Sequence, residues 1–270
     1  VKAWRIGAVL AVLCAPPPAL AQTTDPVQRT PPGEACLAGA PPESVEALCT
    51  EALALPGLAD SDTAQFLAQR GNARAARRAW AEAVEDLTQA LALAPDARLP
   101  RLVRGIALVE LGDVERAIAD LSAYLEWAPG HSGALNSRAV AYVRIGRPAA
   151  AVADFTEALK AAPDHPVLLH NRANALRDAG QIEQAVREYD RLILLTGRSA
   201  QLFSDRCLAR LVRGDIRLAQ ADCEAAVALA PEDPGIIENR GLVALKWNQP
   251  EKAMADFNPA LAIRADLPWA

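Results

Sequence analysis

Aromatic side chains make up only 4% of the 270 residues, with one methionine and three histidines. Alanine fills roughly a fifth of the chain. A sandwich or barrel built from β-branched and aromatic strands is not expected from such a composition. Positive charge is also short: 28 Lys and Arg stand against 33 Asp and Glu, for a net charge of −5. A nucleic-acid binder needs a basic surface to displace counterions, so no nucleic-acid partner is expected. Three histidines and no cysteine pair at metal-ligand spacing leave little from which to build a metal site. The chain carries no Gly-rich phosphate loop, no nucleophile elbow and no His-Glu-x-x-His. His165 and His170 fall on different faces of a helix, and His131 occupies the same turn slot as His165 one repeat earlier. His131 and His165 are expected to be polar turn residues rather than ligands. Neither catalysis nor a cofactor is expected. With 51% hydrophobic and 23% charged residues, the chain nonetheless has the makings of a packed core.

Long apolar runs are scarce, and the first is an address. Residues 1–21, VKAWRIGAVLAVLCAPPPALA, have a basic start at Lys2 and Arg5, then an apolar run from Ile6 to Ala15 too short to span a bilayer, then Ala19-Leu20-Ala21 as a cleavage site. We read a cleavable signal peptide and expect a periplasmic or secreted protein with no stable membrane insertion after cleavage. Cys14 raises the alternative of a lipoprotein, but Leu13 is a poor residue to precede a lipidated cysteine. Residues 22–42, with Pro26, Pro31, Pro32 and Gly33, read as a flexible linker. An exported chain can keep disulfides, and Cys36, Cys49, Cys207 and Cys223 remain to form them.

The dominant feature is a period of 34 residues. Arg recurs at 70, 104, 138, 172, 206 and 240, and Ala at 83, 117, 151, 185, 219 and 253. Three residues after each Ala stands an acid: Asp86, Asp120, Asp154, Glu188, Asp222 and Asp256. Pro95, Pro129, Pro163 and Pro231 close four units, and Gly112, Gly146, Gly180 and Gly214 split four of them in half, with Arg78 and Asn248 in that slot in the first and last. The units are 64–97, 98–131, 132–165, 166–199, 200–233 and 234–267, followed by a tail at 268–270. Apolar and small residues recur at helical spacing inside each unit, as at Leu135, Ala139 and Tyr142, then Ala151, Phe155, Ala158 and Leu159. Two amphipathic helices of about 12 residues joined by a short turn are the reading.

These units resemble tetratricopeptide repeats: a small residue in the first helix, Ala in the second, an aromatic or Leu four residues on, and a final Pro. The usual Trp is absent, with Leu67, Arg101, Leu135, Leu169, Phe203 and Ile237 in its place. Asn-Arg-Ala at 171–173 and Asn-Arg-Gly at 239–241 resemble a common subtype. The resemblance implies an all-α, right-handed α-solenoid of six helix hairpins. Residues 43–63 look like a partial leading repeat, or cap, with Cys49 in the aromatic slot. In this packing the Arg column faces a neighbouring helix. The matching acid column then implies Arg–carboxylate pairs, either within a unit (Arg138 with Asp154) or between neighbours (Arg138 with Asp120). A ligand-binding ladder of Arg is the functional alternative. Cys207 takes the small slot and Cys223 the aromatic slot of one hairpin, which implies a Cys207–Cys223 bond, and a bond from Cys36 to Cys49 would tie the cap.

The family resemblance places a concave surface along the first helices. Leu102, Ile106, Asn136, Val140, His170, Asn171, Asn174, Arg177, Asp205 and Asn239 are its expected lining. The carboxylate clamp of chaperone-binding relatives is not matched, so that activity is not carried over. The expected role is a non-enzymatic periplasmic adaptor that holds a peptide or partner protein. The alternatives are an accessory subunit of an envelope enzyme or assembly, and an end-to-end oligomeric spacer. Asn258-Pro259 is expected to interrupt the last helix, giving either a frayed terminal repeat over which Leu267 and Trp269 fold back or an uncovered edge open to dimerisation or a partner.

Overall fold

The computed structural model describes residues 31–37 and 41–265. The signal peptide read at 1–21, the linker as far as residue 30 and the tail at 268–270 lie outside the described residues. Fourteen helices make up the described secondary structure, arranged as consecutive packed hairpins in two compact units divided at Ala161.

The first unit holds α1 (Pro31–Leu37), α2 (Pro42–Leu53), α3 (Asp60–Ala76), α4 (Trp80–Leu93), α5 (Arg98–Leu111), α6 (Val114–Trp127), α7 (Ser132–Arg144) and α8 (Pro148–Ala161). Each odd-numbered helix packs on the next to form a hairpin, and each hairpin packs on its successor through α2 with α3, α4 with α5 and α6 with α7. First helices also touch one another directly, α3 with α5 and α5 with α7. The second unit repeats the pattern with α9 (Pro166–Asp178), α10 (Ile182–Thr196), α11 (Ala200–Arg213), α12 (Ile216–Leu229), α13 (Pro234–Lys246) and α14 (Pro250–Ala265). There α10 packs on α11, α12 on α13, and α11 on α13.

Local chemistry sets the helix ends. Pro166 and Pro234 open α9 and α13 at the first helical position, where a missing N–H costs nothing. The first helix of each of the six full repeats closes on a left-handed residue: Arg78, Gly112, Gly146, Gly180, Gly214 or Asn248. The residue after it donates its N–H back across the turn, as Asp113 does to the Leu108 carbonyl and Arg147 to that of Tyr142. The sequence period thus marks a backbone conformation, and Arg78 and Asn248 adopt it despite carrying a Cβ.

Inside each hairpin, a small residue on the first helix lets a large one on the second approach. A Cβ on Gly71 would lie 2.7 Å from Leu87, one on Gly105 2.8 Å from Leu121, and one on Gly241 2.5 Å from Phe257. Ala139 and Ala173, with Phe155 and Tyr189, occupy the same slots, and all four side chains are fully buried. In the fifth repeat the pair is covalent: Cys207 and Cys223 form a disulfide.

Two expectations need correction. Residues 31–37 are helical rather than linker: α1 lies against α2 and α3, Cys36 is 1% exposed and it is disulfide-bonded to Cys49. The cap is therefore a hairpin with a shortened first helix. A chain rich in proline still folds here because Pro31 and Pro32 fall in the first turn, where their lost donors are tolerated. Pro259 does not end the last helix either, since α14 runs through it to Ala265. The helix forgoes one backbone hydrogen bond, and the apolar contacts of Ala253 and Ala260, both buried, hold it to the hairpin.

Candidate functional site

The six Arg–acid pairs all form within one hairpin, sixteen residues apart. Five use a two-pronged contact, with Nε and Nη2 of Arg70, Arg104, Arg138, Arg206 and Arg240 donating to the two oxygens of Asp86, Asp120, Asp154, Asp222 and Asp256 at 2.6–2.9 Å. Arg172 meets Glu188 through Nη2 alone, because the longer side chain brings both carboxylate oxygens to one nitrogen. Nη1 reaches back to the preceding hairpin: Arg104 to Thr88 at 3.3 Å, Arg138 to Ser122 at 3.0 Å, and Arg206 to Asp190 at 2.6 Å. The guanidinium therefore clamps its own hairpin and sets the register of the one before. In these three rungs the chain itself supplies both acceptors, which is what a structural ladder requires. Thr88, Ser122, Thr156 and Asp190 form a further 34-residue column in the sequence.

The expected groove line divides into buried and accessible parts. Leu102 is 2% exposed and Ile106 3%, and Asn136, Val140, Asn171, Arg177 and Asp205 are likewise buried, which removes them as surface a partner could touch. This corrects their assignment as groove lining. Residues at that period also face the neighbouring first helix, and where first helices pack directly the side chains between them are sealed. His170, Asn174 and Asn239 remain half-buried. Asn239 donates to Ser204 Oγ at 2.8 Å, which ties α13 to α11.

Four of the expected residues meet in one polar cluster between α9, α10 and α11. Asp205 on α11 accepts from Nε2 of His170 at 2.8 Å and from Gln201 at 3.0 Å. Arg177 on α9 lies 3.6 Å from the other Asp205 oxygen, donates to Asp178 and reaches the Tyr189 hydroxyl at 3.4 Å. Tyr189 on α10 donates to Asn174 Oδ1 at 2.7 Å. Burial works to raise the Asp205 carboxyl, but the hydrogen bonds and charges of His170, Gln201 and Arg177 outweigh it and hold the group below the usual carboxylate range. Burial pushes the Tyr189 hydroxyl well above its ordinary value, so it stays a neutral donor. Tyr189 and Gln201 belong to this cluster and were not anticipated. Tyr189 stands in the aromatic slot, where the repeat pattern reads only packing.

Within the cluster the Tyr189 hydroxyl, the Asp205 carboxylate and the Arg177 guanidinium are all engaged with neighbouring side chains. Its chemical output is a set of fixed orientations: His170 is held by Asp205, and Asn174 by Tyr189. The other two histidines are helix caps. Nδ1 of His131 accepts from the Ala134 N–H at 3.1 Å, and Nδ1 of His165 from that of Leu168 at 3.5 Å. Among the described residues no group of His, Cys, Asp and Glu could hold a metal ion, and no helix is long and apolar enough to cross a membrane.

Comparison with known proteins follows the same repeat. A tetratricopeptide repeat family model matches residues 62–131 and 102–166, and a second model of that description matches 143–203. No curated protein sequence matches the chain. Among solved structures, a tetratricopeptide repeat protein from Parabacteroides merdae is similar with a TM-score of 0.62 and 22% identity, over 82% of this chain and 86% of that one. YrrB, described as a TPR protein with an unusual peptide-binding site, is similar with a TM-score of 0.53 and 20% identity, over 68% of this chain and 94% of its own. MamA is similar with a TM-score of 0.52 and 19% identity, over 60% of this chain and 94% of its own. At these identities the structures speak for the fold alone. With the hairpins, the 34-residue columns and the matched models all in agreement, the chain belongs to the tetratricopeptide repeat family.

Proposed function

We propose that the protein is a non-catalytic adaptor of the periplasm or extracellular space that captures an extended peptide segment of a partner protein on the first-helix face of its second unit. The family consists in general of protein-binding scaffolds. The observation that carries the reading is the pair His170 and Asn174: both are half-buried, both sit on α9, and each is held by a buried partner, Asp205 or Tyr189. Polar groups fixed before the partner arrives lose little side-chain entropy on binding. An Asn side chain offers both donor and acceptor, which suits a peptide backbone. That YrrB is described as having a peptide-binding site supports this choice of ligand class. Two cystines support an oxidising compartment.

The test is a peptide-library screen on the folded protein, repeated with Asn174→Ala and with Asn239→Ala. Loss of at least tenfold in affinity for selected peptides is expected for Asn174→Ala. Peptides that bind both variants as well as the wild type would refute the site.

A specific observation also favours self-association. Leu261 is 64% exposed, whereas Leu91, Leu125 and Leu159 in the same column are buried, and Leu245 and Met254 of the same last hairpin are 54% and 55% exposed. Light scattering on wild type and Leu261→Glu separates the two readings. A strict monomer in both removes the spacer role.

A further inference from the structure

Both cystines are sealed from solvent, with Cys36 1% exposed and Cys49, Cys207 and Cys223 at 0%. They hold very different elements. Cys207–Cys223 joins α11 to α12, two helices of 14 residues. The cystine shares a buried cluster with Ala219 and, from α13, Val243, with Leu211 and Ile216 against them, and the α11–α12 turn is closed by the Asp215 N–H on the Arg210 carbonyl. The same slots hold other hairpins together without any covalent bond, through Gly105 with Leu121 or Ala139 with Phe155. Exposing that sulfur pair requires parting two full helices and breaking the Arg206–Asp222 and Arg210–Asp222 contacts.

Cys36–Cys49 anchors an element of another kind. Helix α1 has seven residues, well under the length at which an isolated helix persists in water. Two of the seven are prolines, and Glu34, its one charged residue, is exposed. Its hold on the cap is the cystine together with the apolar contacts of Cys36 and Leu37. Beneath it lies a cluster built from Val45, Cys49, Ala52, Phe66 and Ala73, all buried while α1 is in place. Local opening of so small an element has a much lower free energy than opening of a complete hairpin. A sulfur buried under α1 is therefore within reach of a reductant in the native protein, and one buried between α11 and α12 is not.

We propose that Cys36–Cys49 is a redox latch on the cap: exchange with a dithiol releases α1 and uncovers the apolar cluster around Phe66, while Cys207–Cys223 stays closed. In the first step a thiolate of the dithiol attacks one cystine sulfur, the S–S bond breaks, and the other cysteine leaves as a thiolate that takes up a proton. In the second, the remaining thiol of the reagent, as thiolate, attacks the mixed disulfide. The reagent closes to a cyclic disulfide and the second cysteine leaves as a thiolate that takes up a proton, so that the cystine has gained two electrons and two protons in all. Reoxidation by a disulfide oxidant reverses both steps and re-docks the helix. The two bonds thus divide the work, one permanent and one switchable.

The experiment is a dithiothreitol series on the folded, full chain, quenched by alkylation and read by peptide mapping, with amide hydrogen exchange followed in parallel. Cys36 and Cys49 are expected to become alkylated at least tenfold faster than Cys207 and Cys223. Exchange should rise in residues 31–37 and 45–53 and stay unchanged in α11 and α12. Equal reduction rates for the two cystines, or the reverse order, would overturn the proposal. So would α1 amides that remain protected after Cys36 and Cys49 have been reduced. The double substitution Cys36→Ser with Cys49→Ser should reproduce the exchange of the reduced cap in the absence of any reductant. If that variant does not accumulate, the series on the wild-type protein decides the question.

Discussion

Gly241 and Phe257 occupy one space: a Cβ at 241 would lie 2.5 Å from the ring carbon Cε1. At an uncrowded position in a helix interior, Gly→Ala is expected to stabilise by up to about 1 kcal/mol. At Gly241 the sign should reverse, because the ring must move out of a packed position. Gly241→Ala is predicted to destabilise by about 1–3 kcal/mol. Urea unfolding of Gly241→Ala beside the wild type measures the effect. A Gly241→Ala variant more stable than wild type would show that the close approach is not structural.

The Arg138–Asp154 rung allows a double-mutant cycle. Asp154 is 7% exposed and is met by Nε and Nη2 of Arg138, both at 2.8 Å. Removing one partner leaves a charge in a half-buried site, so Asp154→Leu and Arg138→Met should each cost about 2–4 kcal/mol. The double variant should come close to wild type, because two apolar side chains replace a pair whose attraction was largely offset by desolvation. The informative quantity is the coupling energy. A value near zero would mean that the rung does not hold the hairpin.

Arg78 has φ of +63°, in the slot where four other repeats place glycine. A side chain with Cβ pays about 1 kcal/mol or more for that conformation. Arg78→Gly is therefore predicted to raise the melting temperature by several degrees, despite the greater entropy of glycine in the unfolded chain. Asn248→Gly should give a smaller gain, as Asn tolerates left-handed backbone better than Arg. Calorimetry on the two variants gives the ranking.

His131 caps α7 only while Nδ1 carries no proton. Burial is the main cause that holds its pKa below the ordinary 6.5, against a smaller opposing hydrogen bond to backbone. A group whose folded pKa is depressed gives stability that is fully present above the unfolded value and is lost as pH falls through the folded one. The protein should thus weaken as pH drops below about 6.5, with loss of a cap worth about 1 kcal/mol. His131→Asp keeps an acceptor at the cap in its charged form, which favours a helix N-terminus. Its stability relative to wild type should rise between pH 7.5 and pH 5, read from thermal melts at each pH.

Much of this protein could be read along its chain, and the reason is its periodicity. A feature repeated every 34 residues places the same side chain in the same environment each time, so the Arg and acid columns, the small and large slots and the left-handed turn positions announce their own pairing. Cys207 and Cys223 could be paired because they stand in slots that other hairpins fill with Ala139 and Phe155. Whether Arg138 would choose Asp154 or Asp120 was beyond the pattern, since both columns share one period; only the approach of the two helices of a hairpin decided it. The same limit explains the groove. Helical spacing tells which side chains share a face, but it does not tell how closely the next first helix covers that face. Ile106 was therefore expected to line a groove and is sealed, while Tyr189, counted as packing, turned out to orient Asn174. Helix α1 shows the limit most sharply. Its seven residues carry too little periodic signal and too many prolines to be recognised as a helix, and they become one because Cys36 and Leu37 have a preformed apolar surface to dock on. Local propensity and repetition determined the hairpins; burial, and with it the division between inside and usable surface, was decided where hairpin meets hairpin.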